Sequence, residues 1–258
     1  MSIGVKNPSE IIAMRRAGQV VATVLATLAR SLRPGMTTHE LDQIAERELK
    51  TLGATSSFKG YRGYPASLCV SINDEVVHGI PGKKIIQNGD LVSLDFGAIT
   101  GGYHGDAAIT VAVGEVGTPA QNLLQTTKGA LKAGITAART GGHLGDISWA
   151  IQEYAEFRGF GVVREYTGHG IGRAMHEEPP VPNFGRAGTG PELKTGMTFA
   201  LEPMLTVGDW HTQVGDDDWV VYTVDHSLAA HFEHTVVVTP QGGEILTAPN
   251  IPAGQASR

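Results

Sequence analysis

The sequence holds a single cysteine, Cys69, among 258 residues. An internal disulfide and a cysteine-based structural zinc site are therefore both excluded, and any bound metal must be held by His, Asp and Glu. Aromatics are sparse at 6% and charged residues at 18%. No unbroken apolar run approaches the roughly 20 residues that span a bilayer. The opening Met-Ser-Ile-Gly-Val-Lys-Asn-Pro lacks the basic start and apolar stretch of a secretory signal. The expectation is a cytoplasmic protein with no membrane partner. A basic excess is also missing: 20 Lys and Arg face 26 Asp and Glu, a net charge of −6. Residues 1–115 are balanced at 11 of each sign, and residues 116–258 carry 9 basic against 15 acidic. Nothing here favours a nucleic-acid backbone as partner. The densest acidic run, Asp216-Asp217-Asp218, reads as a solvated loop. His-Glu-x-x-His, a Walker loop, a Gly-x-Ser-x-Gly elbow and a dinucleotide fingerprint are all lacking. What is present is 41% hydrophobic content and 34 glycines. A chain of this length buries roughly 70% of its unfolded surface, enough for a substantial core.

A pattern recurs at long range. Residues 9–32 have helical spacing through Ile12, Val20, Val24, Leu28 and Leu32, and stop at Arg33-Pro34-Gly35. A second helix, with Thr38 as its expected cap, follows through Leu41, Ile44, Ala45, Leu49 and Leu52 to Gly53. The same order returns 106 positions later, with Leu123 to Arg139 helical, a stop at Gly141-Gly142, and a second helix ending at Gly159. Strands come next in both copies. Asn88 to Asp95 parallels Thr195 to Glu202, each ending on an acid, and each leads to a second strand headed by Asp106 or by Glu233. A period this long means internal duplication rather than a solenoid. The predicted architecture is α+β with a pseudo-twofold: one catalytic domain over 1–250, made of halves at about 8–115 and 116–245. Residues 251–258, small and polar with a Pro, are expected to be a flexible tail.

The chemistry gathers on the acids. A hairpin turning at Thr100-Gly101-Gly102 is expected to set Asp95 and Asp106 opposite one another on one sheet face. Buried carboxylates side by side persist only when they share a proton or are neutralised by cations. Pseudo-symmetry sets Glu202 and Glu233 facing them, and four converging acids point to metal. The Gly168-His169-Gly170-Ile171-Gly172 segment offers an imidazole for a mixed O and N set that suits a bridged pair of first-row divalent ions.

Through Gly63-Tyr64-Pro65, Asn73 to Pro81, Asp95, His104-Gly105-Asp106, Gly168 to Gly172, His176 to Pro179, Leu201 to Met204 and Glu233-His234-Thr235, the chain resembles the type I methionine aminopeptidases. These share a "pita-bread" fold with creatinase and proline-specific peptidases, and the resemblance covers roughly residues 8–240. It implies a site of Asp95, Asp106, His169, Glu202 and Glu233 with two divalent ions (Co, Mn, Fe or Zn) that removes the initiator methionine from nascent proteins. His78 and His176 are implied as catalytic histidines near the departing nitrogen and the carbonyl oxygen, and Glu202 as both ligand and general base. The methionine pocket would be formed by Tyr61, Tyr64, Cys69 and Trp219. Met175 stands at its rim, where some family members carry Phe. Family habit implies a monomer working near the ribosome on chains with a small second residue, which would include this chain's own Met1-Ser2. The first helix begins within about ten residues of Met1, unlike the long-extended proline-specific relatives. The connections from His176 to Glu202 and from Glu202 to Glu233 leave no room for the helical insertion of type II enzymes. With no zinc-binding extension ahead of the first helix, the expectation is a bacterial-type enzyme.

Overall fold

In the computed structural model, residues 3–248 are described; the Met1-Ser2 start and the 251–258 tail lie outside the described residues. The first half runs α1 (Pro8–Ser31), α2 (Thr38–Thr51), β1 (Thr55–Ser56), β2 (Cys69–Ile72), β3 (Glu75–Val77), β4 (Leu91–Thr100) and β5 (Tyr103–Ala112). The second runs α3 (Thr118–Ala137), α4 (Leu144–Glu156), β6 (Gly161–Val162), β7 (Gly168–Gly170), β8 (Glu177–Val181), β9 (Thr198–Leu201) and β10 (Met204–Thr206). It closes with β11 (Thr212–Val214), β12 (Val221–Thr223), β13 (Ala229–His231), β14 (Glu233–Thr239) and β15 (Gly242–Ile245). A nine-stranded sheet, in the order β1-β4-β5-β14-β9-β7-β8 with β2 on β4 and β15 on β14, joins both halves at the β5 to β14 seam.

Local chemistry sets the helix starts. Asn7 and Glu10 form a reciprocal capping box at α1, with Pro8 pre-shaped for the first turn. Thr37, rather than Thr38, caps α2, because its hydroxyl accepts from the Glu40 amide while the Glu40 carboxylate accepts from the Thr37 amide. Thr38 is the first helical residue, and its hydroxyl bonds Gly82 instead. Each helix pair covers its own half. Val21, Leu25 and Leu41 pack on Val70, Leu94 and Phe96, while Leu123, Ile147 and Ile151 pack on Phe199, Leu201 and Val236. Truncating a fully buried side chain such as Leu94 or Phe199 to Ala would cost about 2–5 kcal/mol. α1 has the length and hydropathy to cross a bilayer, but Met14, Ala17, Val21, Val24 and Leu28 are wholly buried within the protein.

The duplication is visible in backbone bonds. Gly35 N donates to Ile86 O and Ile86 N to Met36 O; 106 or 107 residues on, Gly141 N donates to Leu193 O and Leu193 N to Gly142 O. Thr55 pairs Ile99 as Gly161 pairs Thr206, and Ser56 pairs Ala98 as Val162 pairs Leu205. At the seam Glu233 pairs Ala108, and the Thr235 hydroxyl both accepts from Asp106 N (2.9 Å) and donates to Asp106 O (2.8 Å). One register differs from expectation. Thr100 pairs Tyr103, so the turn is the two-residue Gly101-Gly102, both left-handed at φ 60° and 76°. Asp95 consequently faces Ala108 and Asp106 faces Gly97, which makes the acids diagonal rather than direct neighbours, still on one face.

Candidate active site

Strand alternation separates two faces. Along β4, Leu94 and Phe96 enter the core beneath α1 and α2, so the Asp95 side chain points the other way. All twelve residues singled out from the sequence line one cavity of about 150 Å³: Asp95, Asp106, His169, Glu202 and Glu233, with Tyr61, Tyr64, Cys69, His78, Met175, His176 and Trp219. That volume is on the scale that admits a single benzene-sized apolar group. Phe58 and Arg62 complete the lining and were not evident beforehand. Phe58 lies within the twelve-residue link between β1 and β2, where no periodicity exposes it.

The acids form the floor. Burial drives the Asp95 carboxyl up to about 7. Asp106, Glu202 and Glu233 are pushed well above the carboxylate range, first by burial and then by mutual repulsion, in which Asp95 takes part. Asp95 Oδ1, Asp106 Oδ1 and Glu233 Oε1 are buried without a hydrogen-bond partner. Buried carboxylate oxygens left this way call for a counter-charge. His169 sits among them with Nε2 3.9 Å from Asp106 Oδ2 and 3.7 Å from Glu202 Oε1. Its Nδ1 lies 2.9 Å from the Gly170 carbonyl, which can only accept. The proton is therefore on Nδ1, and the Nε2 lone pair faces the acids, as a metal ligand requires. Burial holds this ring neutral, its pKa depressed to about 3. The flanking glycines make the approach possible, since a Cβ at Gly168 would collide with the Ala200 carbonyl and one at Gly170 with that of Glu178. Donor atoms of Asp106, His169 and Glu233 lie within 4.8 Å of one another. The donor set and its orphaned oxygens fit divalent cations.

The walls are apolar and anchored. Phe58, Tyr64, Ala66, Cys69 and Met175 form a small buried cluster joined by Tyr61, Ile80 and Trp219. Two main-chain amides, Ser67 N and Leu68 N, donate to the buried Asp42 carboxylate and tie this segment to α2. The Tyr64 hydroxyl lies 3.1 Å from Leu68 O and 3.0 Å from Gly79 O, donating to one at a time. Burial pushes the Cys69 thiol well up, so it stays a neutral apolar wall. The Asp216-Asp217-Asp218 run has a definite job at its centre, because Asp217 Oδ1 accepts from the amides of Trp219 and Val220, both at 2.9 Å. His78 adopts a left-handed backbone at φ 63°, a conformation uncommon outside glycine, and its ring stands edge-on to Tyr166 and Trp219. Burial lowers its pKa to about 4. His176 lies 4.1 Å, centre to centre, from the His169 ring and hydrogen-bonds Tyr61 through Nδ1 at 2.9 Å. Burial and then Arg62 depress its pKa.

Comparison with known proteins identifies the chain's relatives. Residues 12–240 match the model of metallopeptidase family M24. The chain is 51% identical over 244 residues to a methionine aminopeptidase of Clostridium acetobutylicum, covering 94% of this chain and 98% of the relative. The crystal structure of methionine aminopeptidase from Thermotoga maritima superposes with a TM-score of 0.94 at 46% identity, covering 96% of this chain and all of that one. X-Pro aminopeptidase from Thermotoga maritima shares the fold at TM-score 0.75 and 23% identity, and there this chain covers 63% of the other's length. The chain belongs to metallopeptidase family M24, among its methionine aminopeptidases.

Proposed function

We propose that the cavity is a dinuclear metallo-aminopeptidase site that removes the N-terminal methionine of proteins, with residues 8–115 and 116–245 acting as one catalytic unit. The observation that carries this reading is the junction of acids from both halves, with unpartnered oxygens, to an apolar cup sized for one side chain. Asp95, Asp106, His169, Glu202 and Glu233 would hold the two ions. When bound, the ions supply Lewis acidity and a nucleophile at neutral pH. Glu202, on the cavity floor beside the His169 ring, is placed to take the proton of the attacking water. His176 and His78, both held neutral by burial, donate toward the developing oxyanion and the departing nitrogen respectively. Tyr61, Tyr64, Cys69, Met175 and Trp219 enclose the methionine side chain. Met175 adds a polarisable thioether beside the aromatic rings and the Cys69 thiol.

The substrates in this reading are nascent chains met near the ribosome in the cytoplasm, and the enzyme works as a monomer on chains with a small second residue. The metal in use is set by cellular supply, since such a donor set takes Co, Mn, Fe or Zn. The decisive experiment is an assay of metal-reconstituted protein on Met-Ala-Ser, Ala-Ala-Ser and a Pro-containing dipeptide. Cleavage of the first alone is expected, and preference for the dipeptide would replace this reading with a proline-specific one. Comparing Met-Ala-Ser with Met-Leu-Ser tests the second-residue preference. The intact mass of the native protein, expected to begin at Ser2, tests it on the chain itself.

A further inference from the structure

His231 takes no part in the site as built so far, yet it lies against the acids. It ends β13, two residues before Glu233, and is 1% exposed. Its Nε2 is 3.8 Å from Glu202 Oε2 and 4.0 Å from Glu233 Oε2. These are ion-pair distances rather than hydrogen bonds, and a shift of about 1 Å would close either one. Neither ring nitrogen has a hydrogen-bond partner. A fully buried imidazole left so is rare enough in native proteins to demand an explanation.

The ring is aimed by its backbone. His231 N donates to Thr110 Oγ1 at 2.9 Å, Thr110 Oγ1 donates to His231 O at 2.8 Å, and Ser93 Oγ supports the threonine at 2.8 Å. Glu202 thereby lies between two imidazoles, Oε1 toward His169 and Oε2 toward His231. The two rings differ in one respect. His169 has a carbonyl to fix its proton on Nδ1, whereas His231 has no acceptor at Nδ1 and two carboxylates at Nε2. A buried N–H without an acceptor costs more than a bare lone pair, so the His231 proton belongs on Nε2, and that nitrogen is a donor rather than a ligand.

We propose that His231 is a positioning residue for the acid pair Glu202 and Glu233, its Nε2–H directed between their Oε2 atoms and fixing how their other oxygens face the cavity. The inference rests on the metal-site reading above. Outer-shell donors of this kind change metal affinity by about 10–100-fold when removed. The test is calorimetric titration of the metal-free protein with Mn²⁺ and Co²⁺, together with the visible spectrum of the Co²⁺ form, for wild type, His231→Ala and His231→Gln. Glutamine keeps an N–H donor without a ring nitrogen lone pair. The expected result is a 10–100-fold loss of affinity in His231→Ala, recovery to within a few-fold in His231→Gln, and an unchanged Co²⁺ spectrum in the latter. Equal loss in both variants with an altered spectrum would make His231 a ligand and overturn the proposal. Unchanged affinity in His231→Ala with only a lower Tm would make it a packing residue and also overturn it. If wild type itself takes up no divalent ion, the metal reading fails and the proposal with it. Should His231→Ala not fold, His231→Gln alone decides, since the proposal requires near-native affinity there.

Discussion

The two halves share the helices and the strands that carry the acids, and differ in what is inserted between them. β4 and β9, β5 and β14, and β2 and β7 are matched pairs, and Asp95, Asp106, His169, Glu202 and Glu233 all lie on them or directly at their ends. The unmatched stretches are 57–68, longer than its counterpart 163–167; the β3 loop 73–81 set against 171–188; and 207–228 in place of the Gly101-Gly102 turn. Tyr61, Tyr64, His78, Met175, His176 and Trp219 all come from these stretches, with Cys69 alone at the start of a shared strand. The inserts also hold one another, since β12 from the second half pairs β3 from the first. In the proposed reading, the duplicated frame supplies the groups that would hold the ions, and the unmatched loops supply the groups that would recognise the side chain and donate protons. Even within the frame the copies have diverged: the register position of His169 in the first half is Ser71, whose hydroxyl accepts from the Gly79 amide.

This division can be broken experimentally. The largest effect is expected in the frame, where Asp106→Asn or Glu233→Gln should each abolish both metal uptake and activity while circular dichroism stays native. If either half's acid proves dispensable, the frame is not a shared one. His176→Ala, in an insert, should lower kcat by about 10²–10³-fold with metal content unchanged, as for loss of one oxyanion donor. Equal metal loss in His176→Ala and His169→Ala would erase the distinction between frame and insert. Trp219→Ala should raise KM for a methionyl tripeptide by about tenfold with little change in kcat, because it removes binding common to ground and transition states. A fall confined to kcat would move Trp219 out of the cup.

The smallest effect concerns stability against pH. The Asp95 carboxyl, raised by burial to about 7 from an unfolded value near 4, binds a proton more tightly folded than unfolded. Metal-free protein should therefore lose stability as pH rises from about 4 through 7, and its Tm should fall by a few degrees from pH 5.5 to 8. Saturating metal should flatten that slope, and a Tm that instead rose with pH would show the acid cluster is not charged together.

The duplication was legible because helix stops and strand-ending acids kept one offset across four elements. The second acid pair, Glu202 and Glu233, followed from it, and four converging carboxylates pointed to cations; His169 has no counterpart in the first half and was read from the glycine-flanked Gly168–Gly172 segment instead. The Asp95 and Asp106 register was not, because three candidate turn residues, Thr100, Gly101 and Gly102, leave the hairpin centre open by one residue until both glycines are seen in left-handed conformations. His231 was missed for a different reason. It stands just ahead of Phe232-Glu233, where nothing in the spacing tells a histidine turned toward the acids from one that fills the core, and its meaning comes from contacts with strands far away in sequence.

The Thr235 hydroxyl, bonded to both backbone groups of Asp106, ties the seam between the halves directly beneath the acids. Any hinge opening along that seam would pull Asp106 from Glu233 and dismantle the floor of the cavity. Breathing motions that admit a peptide and release its products are therefore left to the inserted loops, while the halves move as one body. Amide exchange should register this as a gradient, slowest at Asp106 and Thr235 and fastest over 57–68 and 207–228.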